Sequence, residues 1–97
     1  MIDLGISPGQ VPRKIRNVDL TDQQFDDFVR IAGRSTKMRL DAIARSPDWR
    51  TWPNHIKATV INEVIRQSRE AARGIIMMKY PQIIKDATEA KLEKLRD

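Results

Sequence analysis

Residues 54–79 form a proline-free run, bounded by Pro53 and by Tyr80-Pro81, in which apolar side chains recur at helical spacing. At 100° per residue, Val60, Ile61, Val64, Ile65, Ser68, Ala71, Ala72, Ile75, Ile76 and Met78 share one arc of roughly 160°. Asn62, Glu63, Arg66, Arg69, Glu70 and Arg73 lie on the opposite face. In a chain of 97 residues, which holds one small domain, such a helix is the spine on which everything else must pack. Its apolar arc is bulky at first and small at Ser68, Ala71 and Ala72, so a partner helix can approach closely there. Met77 stands on the polar side and needs cover. The expectation is that the C-terminal segment folds back over it, with self-association as the alternative.

Two shorter helices are expected before the spine. Thr21 is a good N-cap, Gln24 completes a capping box, and Leu20 and Phe25 occupy the hydrophobic-staple positions. Asp22 suits the first turn. Phe25, Phe28, Val29 and Ala32 then form an apolar stripe, and Gly33 reads as the C-cap of a helix over 22–32. Ser35 would cap a second helix running to about Arg45, with Met38 and Ile43 inward and Leu40 and Ala42 as further candidates, before Ser46-Pro47 ends it. Residues 48–53 link it to the spine, which starts at Pro53 or Asn54. Beyond Tyr80-Pro81, residues 82–97 read as a fourth, looser helix with sparse apolar positions at Ile83, Ile84, Ala87, Leu92 and Leu95. Residues 1–19, broken by Ser7-Pro8-Gly9 and Val11-Pro12, read as an extended N-terminal arm or linker: a leader, a linker, or a strap over the domain. No strand-period segment or repeat stands out. The expected fold is all-α: a three-helix domain around a long third helix with a looser fourth, occupying 20–97. Its expected core is Phe25, Phe28, Val29, Met38, Ile43, Trp49, Trp52, Val60, Ile61, Val64, Ile65, Ala72 and Ile75.

Composition narrows the chemistry. At 40% hydrophobic and 32% charged, the chain has enough apolar residues for a modest core. No apolar run approaches the ~20 residues that a spanning helix needs. With no cysteine, there is no disulfide, thiol nucleophile or thiolate metal site. A single histidine, His55, makes a metal centre unexpected. The charge is uneven: residues 1–33 sum to -1, 34–79 to +6 and 80–97 to zero, giving the +5 total. Such a basic middle suits nucleic acid or an acidic partner, and is equally compatible with ordinary solubility. Neither a secretory pattern nor a lipidation motif is visible, so the expected location is cytoplasmic or virion-associated.

Catalytic constellations are missing from the pattern. Asp26 and Asp27 are adjacent and diverge by about 100° on a helix. Glu63 and Glu70 share a face with Arg66 and Arg73 as a solvent-side salt ladder. Ser35-Thr36-Lys37 offers no activated base, and the glycines are too scattered to cradle a phosphate. A non-enzymatic module without metal, cofactor or small-molecule substrate is expected. Trp49 and Trp52 either plug the space between helices or, with Arg50 and Met77, form a protein interface. The partner would be another protein or a second copy, with no membrane contact. Binding of nucleic acid without sequence specificity is the alternative, with Arg34, Arg39, Arg66, Arg69 and Arg73 as phosphate contacts. A helix-turn-helix outline at Gly33, with Lys37, Arg39 and Arg45 following, departs from that motif by carrying Val29 where a small residue belongs.

Three segments carry a resemblance: Leu20-Thr21 through Phe25-Asp26, Phe28 and Ile31-Ala32-Gly33; then Ser46-Pro47-Asp48-Trp49; then Ile65-Arg66, Ser68-Arg69 and Ala71-Ala72. Together they resemble a module near the C-termini of uncharacterised phage and prophage proteins, where a proline-containing basic linker similar to Pro12-Arg13-Lys14 precedes it. The likeness covers a little over half of the chain and consists of caps, turns and helix faces. It implies a part of a larger virion-associated or phage-encoded protein and transfers no functional residue.

Overall fold

The computed structural model describes residues 6–96. A single 3-10 turn, Pro8–Gln10, leads into a two-residue strand β1 (Lys14–Ile15), which pairs antiparallel with β2 (Val18–Asp19). Then come α1 (Asp22–Ala44), a second 3-10 turn (Pro47–Thr51), α2 (Asn54–Lys79) and α3 (Gln82–Arg96). The fold is predominantly helical, with a small hairpin that the sequence reading did not foresee.

Helix α1 starts as its cap chemistry dictates. Gln24 N–H donates to Thr21 Oγ1 at 3.2 Å, and the Gln24 side-chain oxygen accepts from Thr21 N–H at 2.9 Å. It does not stop at Gly33, however, and the two helices expected on either side of that glycine are one. No glycine among the described residues has the positive φ of a left-handed cap. The buried series Phe25, Phe28, Ala32, Thr36 and Leu40 runs through Gly33 without a change of phase. That continuous buried stripe outweighs the roughly 1 kcal/mol that a mid-helix glycine costs. Ser35 is therefore no cap but an interior residue, its Oγ accepting from Arg39 Nε at 3.2 Å. Thr36 satisfies its buried hydroxyl by donating to Ala32 C=O at 2.8 Å. The described residues thus form three α-helices. The long one is the second, and the helix-turn-helix outline disappears with the turn.

α1 and α2 lie antiparallel, with small residues where they meet: Ala32, Ser68 and Ala72 are fully buried. Ala71, expected on the same seam, is exposed. The principal core sits at one end of the pair, where Phe25, Phe28 and Ala32 of α1 meet Ala72 and Ile76 of α2 and Ile83 of α3. The N-terminal segment completes it. Ile6, Val11, Ile15 and Leu20 are buried in the same cluster, Ile15 to 1% exposure, so residues 6–19 lie as a strap over the domain, one of the three forms open to an N-terminal arm; residues 1–5 of that segment lie outside the described residues.

Met38 and Ile75 correct the expected core: they are 66% and 48% exposed. Met38 is two residues from both Thr36 and Leu40, which places it on the outer side of α1. Ile43, Val60 and Ile61 are half-buried, as are Val29 and Ile65, which pack against the main cluster.

Between α2 and α3 the chain turns at Tyr80, whose φ of -124° and ψ of 76° leave the helical region. Pro81 imposes this, because it excludes a helical conformation at the preceding residue and supplies no N–H. Asp27 of α1 holds the joint. Its Oδ2 accepts from Lys79 Nζ at 2.7 Å and from the Tyr80 hydroxyl, while Arg30 approaches Oδ1 at 3.4 Å.

Candidate functional site

The strap and the polar face of α2 enclose an open cleft of about 670 Å³. One wall is Gly9–Pro12 with Lys14, Arg16 and Asn17; the other is Arg66, Arg69, Glu70 and Arg73. Val11, Ile15 and Phe28 line its apolar part. Five cations thus face one carboxylate.

Secondary structure places each of them. Arg66, Arg69 and Arg73 recur at i,i+3 and i,i+7, so they stand along one side of α2 over about 10 Å. Arg69 Nη1 donates to the carbonyl of Gln10 at 2.8 Å, tying the helix to the strap. Lys14 faces Asp19 at 3.6 Å, with both side chains largely exposed. At the hairpin tip, Arg16 and Asn17 have φ of 50° and 66°, the signs that a type I′ turn demands at both central positions. Asparagine tolerates that region, but arginine adopts it at a cost of order 1 kcal/mol. The turn is nonetheless fixed, because Ile15 on its flank is buried and Leu20 N–H bonds Arg13 C=O at 2.9 Å.

The hairpin also leaves main-chain groups free. With a two-residue loop, Ile15 and Val18 form the close hydrogen-bonded pair, and Lys14 and Asp19 the next, non-bonded pair. The N–H and C=O of Lys14 therefore point off the outer edge of β1. That strand borders the cleft, while β2 lies on the side that meets α3.

Not every cation is available. Arg66 Nε donates to Glu63 at 3.0 Å, and this bond depresses the Glu63 pKa and raises that of Arg66. Gln67 links Glu63 to Arg39 through hydrogen bonds of 3.2 and 3.3 Å. Arg73 is only loosely neutralised, 3.8 Å from Glu70. Among the described residues Arg16 pairs with no carboxylate. A second cleft, about 810 Å³ and lined by Arg16, Asn17, Lys91 and Lys94 with small residues of α3, opens on its other side.

Of the five arginines expected to contact phosphate, Arg66, Arg69 and Arg73 come together here. Arg39 joins them through Gln67, whereas Arg34 lies exposed on α1 with no bond to the group. Lys14 and Arg16 were missed as site residues. The alternation of basic residues with Val11, Ile15 and Val18 was their only signal.

The expected protein interface is not assembled into one surface. Trp49 and Trp52 are half-buried in the α1–α2 connection, their rings 5.8 Å apart and edge-on at 62°. Lys57 Nζ lies 5.4 Å from the Trp49 ring, and Arg50 is exposed. The tryptophans stand outside the main core cluster, so their expected place in it is corrected to that of a partial plug. Met77 is half-buried against the core cluster at the opposite end of the pair. His55 is exposed in the first turn of α2, and no group of three metal-ligating side chains occurs among the described residues. No protein-family model, no curated protein and no solved structure matches the chain.

Proposed function

We propose that the protein is a non-enzymatic interaction or assembly module, a part of a larger phage- or prophage-encoded protein, and that it engages an acidic segment of a partner protein in the cleft between strap and α2. The cleft's composition carries this reading: Lys14, Arg16, Arg69 and Arg73 surround an apolar patch of Val11, Ile15 and Phe28. Spaced cations around an apolar seat suit an extended peptide with separated carboxylates and an occasional apolar side chain. The free N–H and C=O of Lys14 would let such a segment add beside β1.

Nucleic acid is the second reading, favoured by one observation. Arg16 lines both clefts, so a basic path leads from α2 across the hairpin tip to Lys91 and Lys94. Against it stand Glu70 within the first cleft and the commitment of Arg66 to Glu63.

Anisotropy titrations separate the two. A labelled acidic peptide with interspersed leucines and a labelled DNA duplex are each titrated with the protein at about 50 and 200 mM salt. The proposal expects saturable peptide binding that Arg69→Glu with Arg73→Glu abolishes. Duplex binding that collapses at the higher salt, with none to the peptide, would replace it by the nucleic-acid reading. Binding of neither ligand would overturn both.

A further inference from the structure

The cleft of about 810 Å³ between the hairpin tip and α3 differs in kind from the one beside α2. Arg16 and Asn17 form one side, and Lys91 and Lys94 with the small residues Ala87 and Ala90 form the other. No carboxylate lines it, and its apolar part is little more than alanine methyls, with no seat like that of Val11, Ile15 and Phe28. Buried anchors hold both walls: Ile15, next to Arg16, and Ile83, in the first turn of α3, are each 1% exposed, and β2 packs against α3.

Helical periodicity keeps its cations free. Lys91 and Lys94 fall within about 60° of each other on α3, while Asp86, Glu89 and Glu93 cluster about 140° away. The residues three and four from Lys91 are Ala87, Thr88, Lys94 and Leu95, so no acid neighbours it along the helix. Among the described residues neither lysine nor Arg16 bonds a carboxylate, unlike Arg13, Lys14, Arg30, Arg66, Arg73 and Lys79. Other exposed cations are also unpaired, but these three converge on one concavity. Arg16 does so at a φ of 50°, which glycine or asparagine would adopt at less cost. The turn gives no reason for an arginine there, whereas the cleft does. Three cations around a floor of small side chains match a compact, multiply charged anion, since a single carboxylate would leave two of them uncompensated. Arginine's fork engages two oxygens of one phosphoryl group, and lysines a turn apart reach its neighbours. We infer that this cleft is a binding site for a short polyphosphate chain, held by Arg16, Lys91 and Lys94. The site does not depend on the ligand proposed for the cleft beside α2.

Titration of the full chain with inorganic triphosphate at about 50 mM salt, followed through amide chemical shifts, tests the inference. Saturable shifts should appear at Asn17, Ala87, Thr88 and Ala90, with a Kd below about 1 mM. Lys91→Ala and Lys94→Ala should each weaken binding about two- to fivefold, and the pair more. Arg16→Gly should weaken it similarly and leave the unfolding transition in place, because glycine accepts the φ of this turn. Lys14→Ala, which removes a cation of the other cleft alone, should bind like the parent chain. Shifts that never saturate would overturn the inference, as would citrate binding as tightly as triphosphate or an equal loss in Lys14→Ala. Shifts at these amides with a DNA duplex but none with triphosphate would also overturn it and give the cleft to nucleic acid.

Discussion

Where α1 begins and α2 ends, the strap, the hairpin and the first turns of α3 all close over Phe28, Ala32, Ala72 and Ile76. Where α1 ends and α2 begins, only the short connection lies across the pair; its Trp49 and Trp52 are half-buried, and Ile56 in the first turn of α2 is 39% exposed. The same two helices therefore have a well-covered end and a thinly covered one. A pair of amphipathic helices buries one stripe on each, and the remaining apolar surface needs a third layer. At the first end the chain provides that layer from fourteen residues upstream of α1, and the cationic cleft is the by-product of laying them beside α2.

Breaking the covered end should have the largest effect. Phe28, 1% exposed at its centre, should cost about 3–5 kcal/mol when replaced by alanine, read by denaturant unfolding. Asp27, on the same end, comes next and shows itself through pH. Hydrogen bonds from Lys79, then Tyr80 and Arg30, lower its pKa to about 2, against ~3.9 in an unfolded chain. Between those values the unfolded state binds more protons, so stability should fall as pH drops through that window. Asp27→Asn should flatten the acid limb of a Tm-against-pH curve. The partners act in the opposite sense: the pKa values of Lys79 and Tyr80 are raised, so their contribution should fade on the alkaline side.

The thin end should respond more weakly. Trp52→Ala should cost about 1–2 kcal/mol rather than the loss expected of a fully buried tryptophan, and a larger value would mean that the two ends are alike. The smallest change tests the seam between them. A Cβ at Gly33 would meet nothing within 4 Å, so Gly33→Ala should stabilise the protein by roughly 0.5–1 kcal/mol as a mid-helix site. Destabilisation on thermal melting would restore the turn that the continuous α1 excludes.

How much of this could be read beforehand follows from what each signal encodes. The capping box at Thr21, the boundaries of α2 and the break at Pro81 were legible because they rest on neighbours within four residues. Gly33 misled because a glycine after an apolar stripe resembles a C-cap, while the decisive evidence, Thr36 and Leu40 in phase with Ala32, included a polar residue whose hydroxyl is satisfied inside its own helix. Met38 was placed inward for its hydrophobicity alone. The hairpin escaped notice because Arg16-Asn17 lacks the glycine that usually marks a type I′ turn. The cleft was beyond local reading: Arg69 meets Gln10 across 59 residues, and no spacing along the chain announces that contact.

The account stands on residues 6–19 being part of the folded body. The direct measurement is urea unfolding of a chain that begins at residue 20, followed by circular dichroism. Removing Ile6, Val11 and Ile15 uncovers Phe28 and its neighbours, so the account predicts that the cooperative transition is lost or shifted to far lower denaturant. A shortened chain that unfolds with the midpoint and slope of the full one would show the segment to be a linker, and the cleft it forms with α2 would lose its basis.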